Sequence, residues 1–434
     1  MAHLPALTID SLTHGPWGLG RSDGKVVLVP MTAPGDQVTA EVVEEHKRYS
    51  VARAVSLLRP SPARRAAPCP YAGDCGGCSW QHVSHDAQLH AKQQNVADAL
   101  ARVGGLRDFE LLPIVAASAE FHYRRRITLH VGNGRRLGFH HAFSRDLVEI
   151  AGCLIADPDV DRSIGLAAQW VRRLETPVSS VEILSADRPD EVVLSAATRQ
   201  PLRGSDARAC KETVGGPVAG IVLAGPGWRR QWGETALSFV VDGDLTLRHD
   251  ADAFAQINPE GNRKLVGELL SWDAFEKRDS VLELYAGAGN LTLPVARRVR
   301  RVTAVEAAWR LVRNGKRNAR DNGLDNVRWL RQDAGKAVDE LVRQDRRFTT
   351  VVLNPPRTGA KEVAPKLAAL GARRILYVSC NPATLARDLR QLSDRGFTLR
   401  RVRPVDLFPQ TFHVEALAEL IRAEPSRSPT KPHD

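Results

Sequence analysis

No apolar stretch of this chain reaches the roughly 18 to 20 residues that a membrane-crossing helix needs. The start, MAHLPALTIDSLTHG, lacks the basic lead, apolar centre and cleavage pattern of a signal peptide. Cytoplasmic residence with no membrane partner is therefore expected. Cysteine is scarce, six in 434 residues, and in a reducing compartment so few, so unevenly placed, do not make a disulfide framework. Aromatic residues are only 6% of the chain, yet the hydrophobic total of 43% suits ordinary globular cores and excludes a wholly disordered protein. The length allows two or three domains. Acidic residues are outnumbered, 50 against 61 Lys and Arg, and the formal charge of +11 favours a polyanionic partner through counterion release. Basic runs such as Arg124-Arg125-Arg126, Arg135-Arg136 and Arg297 to Arg301 fit that partner or a solvated face equally well.

Half of the cysteines are clustered. Cys69, Cys75 and Cys78 share APCPYAGDCGGCSWQ, whereas Cys153, Cys210 and Cys380 stand alone. A cluster this tight in a cytosolic chain points to a metal or a redox function. Gly73, Gly76 and Gly77 let the backbone close around a centre, and Pro68 and Pro70 stiffen its entry. Three thiolates suit zinc or iron, and the best fourth ligand is Cys153 in EIAGCLIADP. One C-x5-C-x2-C with a distant single cysteine favours an iron–sulfur cluster; zinc and free thiols remain alternatives. Cys210 reads as structural.

Four regions follow from pattern. Residues 1–60 hold short alternating runs, KVVLVP, QVTAEVVEE and SVARAVSLL, broken by Ser-Asp-Gly and Ala-Pro-Gly, which reads as a small β-barrel. PSPARRAAP is a linker into residues 61–250, a central and mainly β domain carrying the cysteine cluster. Within it a helix is expected from Asp86 to Val103, with Leu89, Val96, Leu100 and Val103 on one face and Gly104-Gly105 as its stop. Residues 251–423 switch to apolar strands alternating with helices, the mark of a doubly wound α/β domain with a parallel sheet. The tail EPSRSPTKPHD, residues 424–434, is expected to be disordered. No internal repeat is visible.

In such a sheet ligands bind beyond the carboxyl ends of the strands, where every remaining candidate lies. ELYAGAGN makes a glycine turn into a helix, with Tyr285, Gly287 and Asn290 beside a ligand, though not the full G-x-G-x-x-G of a pyrophosphate site. Glu306 ends the second strand, where an acid holds a ribose through its hydroxyls, and Asp333 after the third can reach an adenine amino group. VVLNPPRTG fixes Asn354 at the tip of the fourth strand, ahead of two prolines that Arg357 follows. The fifth ends in SCNPATLARDL, and Cys380 there meets a helix N-terminus, which depresses a thiol pKa and favours thiolate. The bland reading of Cys380 is a small buried apolar residue.

With FAQINPEGN at Phe254 to Asn262 and DLFPQTFHVE near the end, these motifs cover nearly the whole chain in order. The chain resembles the RNA uracil-C5 methyltransferases, in particular the branch acting on 23S ribosomal RNA of the large subunit. The resemblance implies a TRAM-like RNA-binding barrel at residues 1–60, a [4Fe–4S] cluster on Cys69, Cys75, Cys78 and Cys153, and a Rossmann-like methyltransferase domain using S-adenosylmethionine. It further implies Cys380 as nucleophile, Glu415 as base, and Gln256, Tyr285, Asn290, Glu306, Asp333 and Asn354 as donor-site residues. Relatives usually carry Asp where this chain has Asn354.

The chemistry matches those residue types. Uracil C5 is too weak a nucleophile to take a methyl group from a sulfonium unaided, and a thiolate adding at C6 makes it an enolate carbon. A base must then take the C5 proton so that the thiol can leave. The target uridine must be unstacked to reach the pocket. An amino-group N-methyltransferase using Asn-Pro-Pro and a non-catalytic RNA-binding protein are the alternatives. A monomer suits the multidomain layout.

Overall fold

The computed structural model describes residues 3–251, 253 and 255–422. The tail expected to be disordered and Phe254 lie outside the described residues. Two compact units interleave along the chain. One takes residues up to Asn95, Ile114–Gly267 and Val405–Val414; the other takes Val96–Pro113, Glu268–Pro404 and the chain from Glu415 onward.

The first unit opens with a closed barrel of His3–Leu12, Trp17–Ser22, Lys25–Pro30, Gln37–Glu45 and Tyr49–Arg59. Alternate residues along these strands, Leu7 and Ile9, Val27 and Val29, Val38 and Ala40, point inward to one small core. Asp23 and Gly24, at φ of 49° and 78°, make the two-residue turn that matches strand twist in a hairpin. Beyond the barrel lies a seven-stranded sheet that includes Arg126–Val131, Leu137–His140, Ser180–Ser185 and Val192–Ala197. Helix Pro158–Arg173 packs on it through the fully buried Trp170. Asp157 caps that helix by accepting the Asp159 N–H, and Pro158 takes the first helical position, where no N–H is required. In the same unit, Lys92 is wholly buried against Asp406 at 2.6 Å, and His85 reaches the other carboxylate oxygen at 3.3 Å.

The helix expected from Asp86 to Val103 forms at His85–Arg102. Val96 and Leu100 are buried, whereas Val103 is 54% exposed because it follows the last turn rather than extending the apolar face.

The second unit holds an eight-stranded sheet. Its order is Val327–Arg331, Arg301–Glu306, Ser280–Leu284, Thr350–Leu353, Arg374–Ser379, Glu415–Arg422, Phe397–Val405 and Glu110–Leu111. The first five strands pair in parallel. Successive strands lie to one side of Ser280–Leu284 and then to the other, so the switch point falls at the carboxyl end of that strand. The all-parallel expectation fails at Glu415–Arg422, which runs antiparallel to Arg374–Ser379. Among the described residues no helix is long and apolar enough to cross a membrane.

Candidate active site

Strand register builds the site. Leu284 stands opposite Val305 on one side and Leu353 on the other, and Leu353 stands opposite Tyr377. Tyr285, Glu306 and Asn354 therefore leave the sheet at one carboxyl edge. The antiparallel pair completes the row. Ser379 stands opposite Ala416, so one step further sets Cys380 beside Glu415. A glutamate that begins a strand meets a cysteine that follows one only because the two strands run in opposite senses.

Arg357 joins them from the loop after Thr350–Leu353. Its guanidinium donates a hydrogen bond to the Cys380 sulfur and acts on the Glu415 carboxylate through charge. Glu415 is buried, and that burial pushes its pKa up to about 8 against the pull of Arg357. A carboxyl group titrating near neutrality is suited to passing a proton.

Cys380 departs from expectation. Burial, with the Glu415 charge beside it, raises its thiol pKa, and the hydrogen bond and charge of Arg357 oppose that rise. The helix start does not supply the expected depression, for a local reason. Pro382 has no N–H, and the Asn381 side chain accepts the N–H groups of Ala383 and Thr384 at 3.0 and 3.4 Å. The donors that would stabilise a thiolate are already used by the cap. Arg357 is the cation that acts on the sulfur, and the sequence pattern alone assigns it no role. A cation three places past a strand tip, next to the cysteine strand, was the available signal.

The glycine turn holds its shape through Glu306. One of its carboxylate oxygens accepts the Gly287 N–H at 3.1 Å and the other the Ala308 N–H at 2.8 Å, which leaves lone pairs for further donors. Tyr285 sits at φ 63°, a left-handed conformation that few residues other than glycine adopt, and such strain collects at functional sites. Gly287 and Gly289 follow at φ 59° and 110°. Asn290 lies in the same turn, ahead of helix Thr292–Ala296. Asp333 caps helix Ala334–Arg343, accepting the Gly335 and Lys336 N–H groups at 3.0 and 3.2 Å. The Asn354 N–H donates to the Leu284 carbonyl at 3.4 Å, which ties the fourth strand tip to the first. Gln256 stands in the first unit, just ahead of helix Pro259–Ser271.

The clustered cysteines meet in the first unit. Cys69, Cys75, Cys78 and Cys153 line one cavity with Arg124, Ile127, Phe139 and Ile155. None of the six cysteines is in a disulfide. Burial raises the Cys78 and Cys153 thiols to about 12 and about 11, and Cys75 rises for the same reason. The loop is anchored by the Cys69 N–H on Gln81 and the Gly76 N–H on the His140 carbonyl. On the other side, the Cys153 N–H donates to Asp161 at 2.6 Å. Among the described residues no group of three or more His, Cys, Asp or Glu side chains is placed to hold a single metal ion. Cys210, wholly buried, packs in the core beneath helix Pro158–Arg173.

Comparison with known proteins settles the kinship. A family model described as tRNA (uracil-5-)-methyltransferase matches residues 234–423, and a model for the TRAM domain of tRNA (uracil(54)-C(5))-methyltransferase matches residues 7–63. The 23S rRNA (uracil(1939)-C(5))-methyltransferase of Pseudomonas fluorescens is 36% identical, over 95% of this chain and 93% of its own. The chain belongs to the RNA uracil-C5 methyltransferase family. Another member, the 23S rRNA (uracil(1939)-C(5))-methyltransferase of Pseudomonas aeruginosa, is 35% identical over 95% and 93% of the two chains. The solved tRNA (uracil-54, C5)-methyltransferase of Pyrococcus abyssi, in complex with S-adenosyl-L-homocysteine, has the same fold. Its TM-score is 0.75 at 23% identity, covering 95% of this chain and 99% of the other. The N-terminal barrel is thus a TRAM domain, and the cysteine-bearing region between the two family models is spanned by the full-length relatives.

Proposed function

We propose that this family member transfers a methyl group from S-adenosylmethionine to C5 of a uridine in 23S ribosomal RNA, through a covalent bond from Cys380 to C6. The observation that carries the reading is the grouping of Cys380, Arg357 and Glu415 at the carboxyl edge of one sheet. Arg357 favours the thiolate, whose sulfur adds to C6 and sends charge to C5. C5 takes the methyl group and S-adenosylhomocysteine departs. Glu415 then removes the C5 proton, the C5–C6 double bond re-forms, and the thiolate is expelled. Tyr285, Gly287, Asn290, Glu306, Asp333 and Asn354 hold the donor along the switch point. The 23S substrate rests on the two Pseudomonas relatives, whose names give that RNA.

Cys69, Cys75, Cys78 and Cys153 fit a [4Fe–4S] cluster, because four soft sulfur donors line one cavity with largely apolar walls. Cys69, Cys75 and Cys78 from one loop and Cys153 from another segment would hold such a cluster, which would supply a structural cross-link between those two segments.

The decisive test is methylation of 23S RNA by the purified chain. Cys380→Ala is expected to abolish it, and Glu415→Gln to accumulate a protein–RNA adduct visible after denaturing electrophoresis. Full activity of Cys380→Ala would sink the reading in favour of an amine methyltransferase, which needs no thiol. Mass mapping of 5-methyluridine in RNA from a deletion strain identifies the nucleotide, and loss from transfer RNA alone would reject the ribosomal assignment.

A further inference from the structure

The SCNPATLARDL motif contains more than a nucleophile and a cap. Helix Pro382–Ser393, which begins two residues after Cys380, turns a row of side chains onto the loop from Asn354 to Ala360. Asn381 Nδ2 and the Thr384 hydroxyl both donate to the Arg357 carbonyl oxygen, at 3.3 and 3.1 Å. One turn later Arg387 donates to the Thr358 carbonyl at 2.8 Å. Asp388, with no solvent exposure, accepts the Ala360 N–H at 2.6 Å and the Tyr377 hydroxyl at 2.7 Å on one carboxylate oxygen. Its other oxygen accepts Arg387 Nε at 2.8 Å. Positions 381, 384 and 388 are spaced three and four apart, so they share one helical face.

The loop needs such a grip. Pro355 and Pro356 have no N–H to anchor it, and Gly359, at φ 76°, passes so near that a Cβ there would lie 2.4 Å from the Asp388 carboxylate. A buried carboxylate is costly unless its oxygens are satisfied, and every recorded partner of Asp388 belongs to the loop, to the strand that leads into Cys380, or to Arg387 on the same helix. Strand, loop and helix therefore meet at one side chain.

We propose that Thr384 and Asp388 are positioning residues that hold the Arg357 guanidinium against the Cys380 sulfur. The helix grips the loop by its backbone, which leaves the arginine side chain available to the site. The proposal rests on Cys380 acting as the nucleophile. Two ionisable groups face that sulfur, the Arg357 cation from the loop and the Glu415 carboxyl from the adjoining strand. Releasing the loop removes the favourable one and leaves the unfavourable one.

The test uses the full-length protein with Thr384→Val and Asp388→Asn. Thr384→Val keeps shape and charge, so it reports even where Asp388→Asn weakens folding. Both are expected to lower kcat about ten- to a hundredfold, the scale of a misplaced catalytic group, with KM for RNA unchanged. Alkylation of Cys380 by iodoacetamide, followed by peptide mass analysis across neutral to alkaline pH, should shift to higher pH in both. Wild-type kcat in Thr384→Val, or a fall in kcat with the alkylation profile unmoved, overturns the proposal. Full methylation by Cys380→Ala instead overturns the nucleophile assignment beneath it, so the two failures are distinguishable.

Discussion

Glu283 is the penultimate residue of strand Ser280–Leu284, two residues before the strained Tyr285, and is buried. Burial pushes its pKa from 4.5 up to about 8, against the Thr292 hydroxyl, and the Glu306 charge adds to the rise. Glu415 is raised to about 8 for the same leading reason. Unfolded, both carboxyls ionise near 4.5, so between that pH and about 8 the folded chain holds protons that the unfolded chain has lost. Their contribution to stability is therefore full below the unfolded value and is lost as pH rises through that window. The thermal midpoint of the wild type should fall across it, and Glu283→Gln, which carries no titrating group, should flatten part of the fall. An unchanged slope in that variant would place the titration elsewhere.

Elements here depend on single close approaches. Helix Trp309–Asp321, next in the chain after Glu306, meets the edge strand Val327–Arg331 at Gly315, where an added Cβ would lie 2.2 Å from the Trp329 ring. Trp329 is buried and cannot swing aside without leaving the core. Gly315→Ala should therefore cost about 1–3 kcal/mol, the usual range for overpacking, read as a lower denaturant midpoint. An alanine variant as stable as the parent would mean that the helix lifts freely from the sheet. The switch-point loop is less tolerant still, since it combines a left-handed Tyr285 with two left-handed glycines.

Across the whole molecule, two kinds of chemistry occupy different units. The cysteine cavity belongs to the unit containing the barrel, while Cys380, Arg357 and Glu415 belong to the other. Cys153→Ser is expected to lose iron, sulfide and visible absorbance while S-adenosylmethionine affinity measured by calorimetry persists. A colourless, iron-free wild type purified without air would reject the cluster. The formal charge of +11 makes a second whole-molecule prediction. RNA affinity should decline steeply with salt, with a negative slope of log affinity against log concentration set by the phosphates contacted. An affinity indifferent to salt would show that base contacts alone hold the RNA.

Local regularities were legible in the sequence because their causes are local. Alternation along KVVLVP reports a half-buried strand, Ser-Asp-Gly reports a turn with positive φ, and the order of glycine, acid, asparagine and cysteine tips reports a doubly wound sheet. Kinship with the uracil-C5 methyltransferases was legible for the same reason, since motifs are stretches of chain. Three things were decided only by tertiary structure: the antiparallel entry of Glu415–Arg422, the Arg357 contact with Cys380, and the proton held by Glu415 near neutrality. The helix-start rule predicted an acidic thiol at Cys380, and Asn381 and burial reversed it. Desolvation depends on whatever covers a group, and here the covering residues come from segments far apart in the chain. The sequence by itself named Cys380 and Glu415 as candidates; only the fold brought Arg357 to them and set their protonation, because charge in a buried site is set by neighbours that no local pattern records.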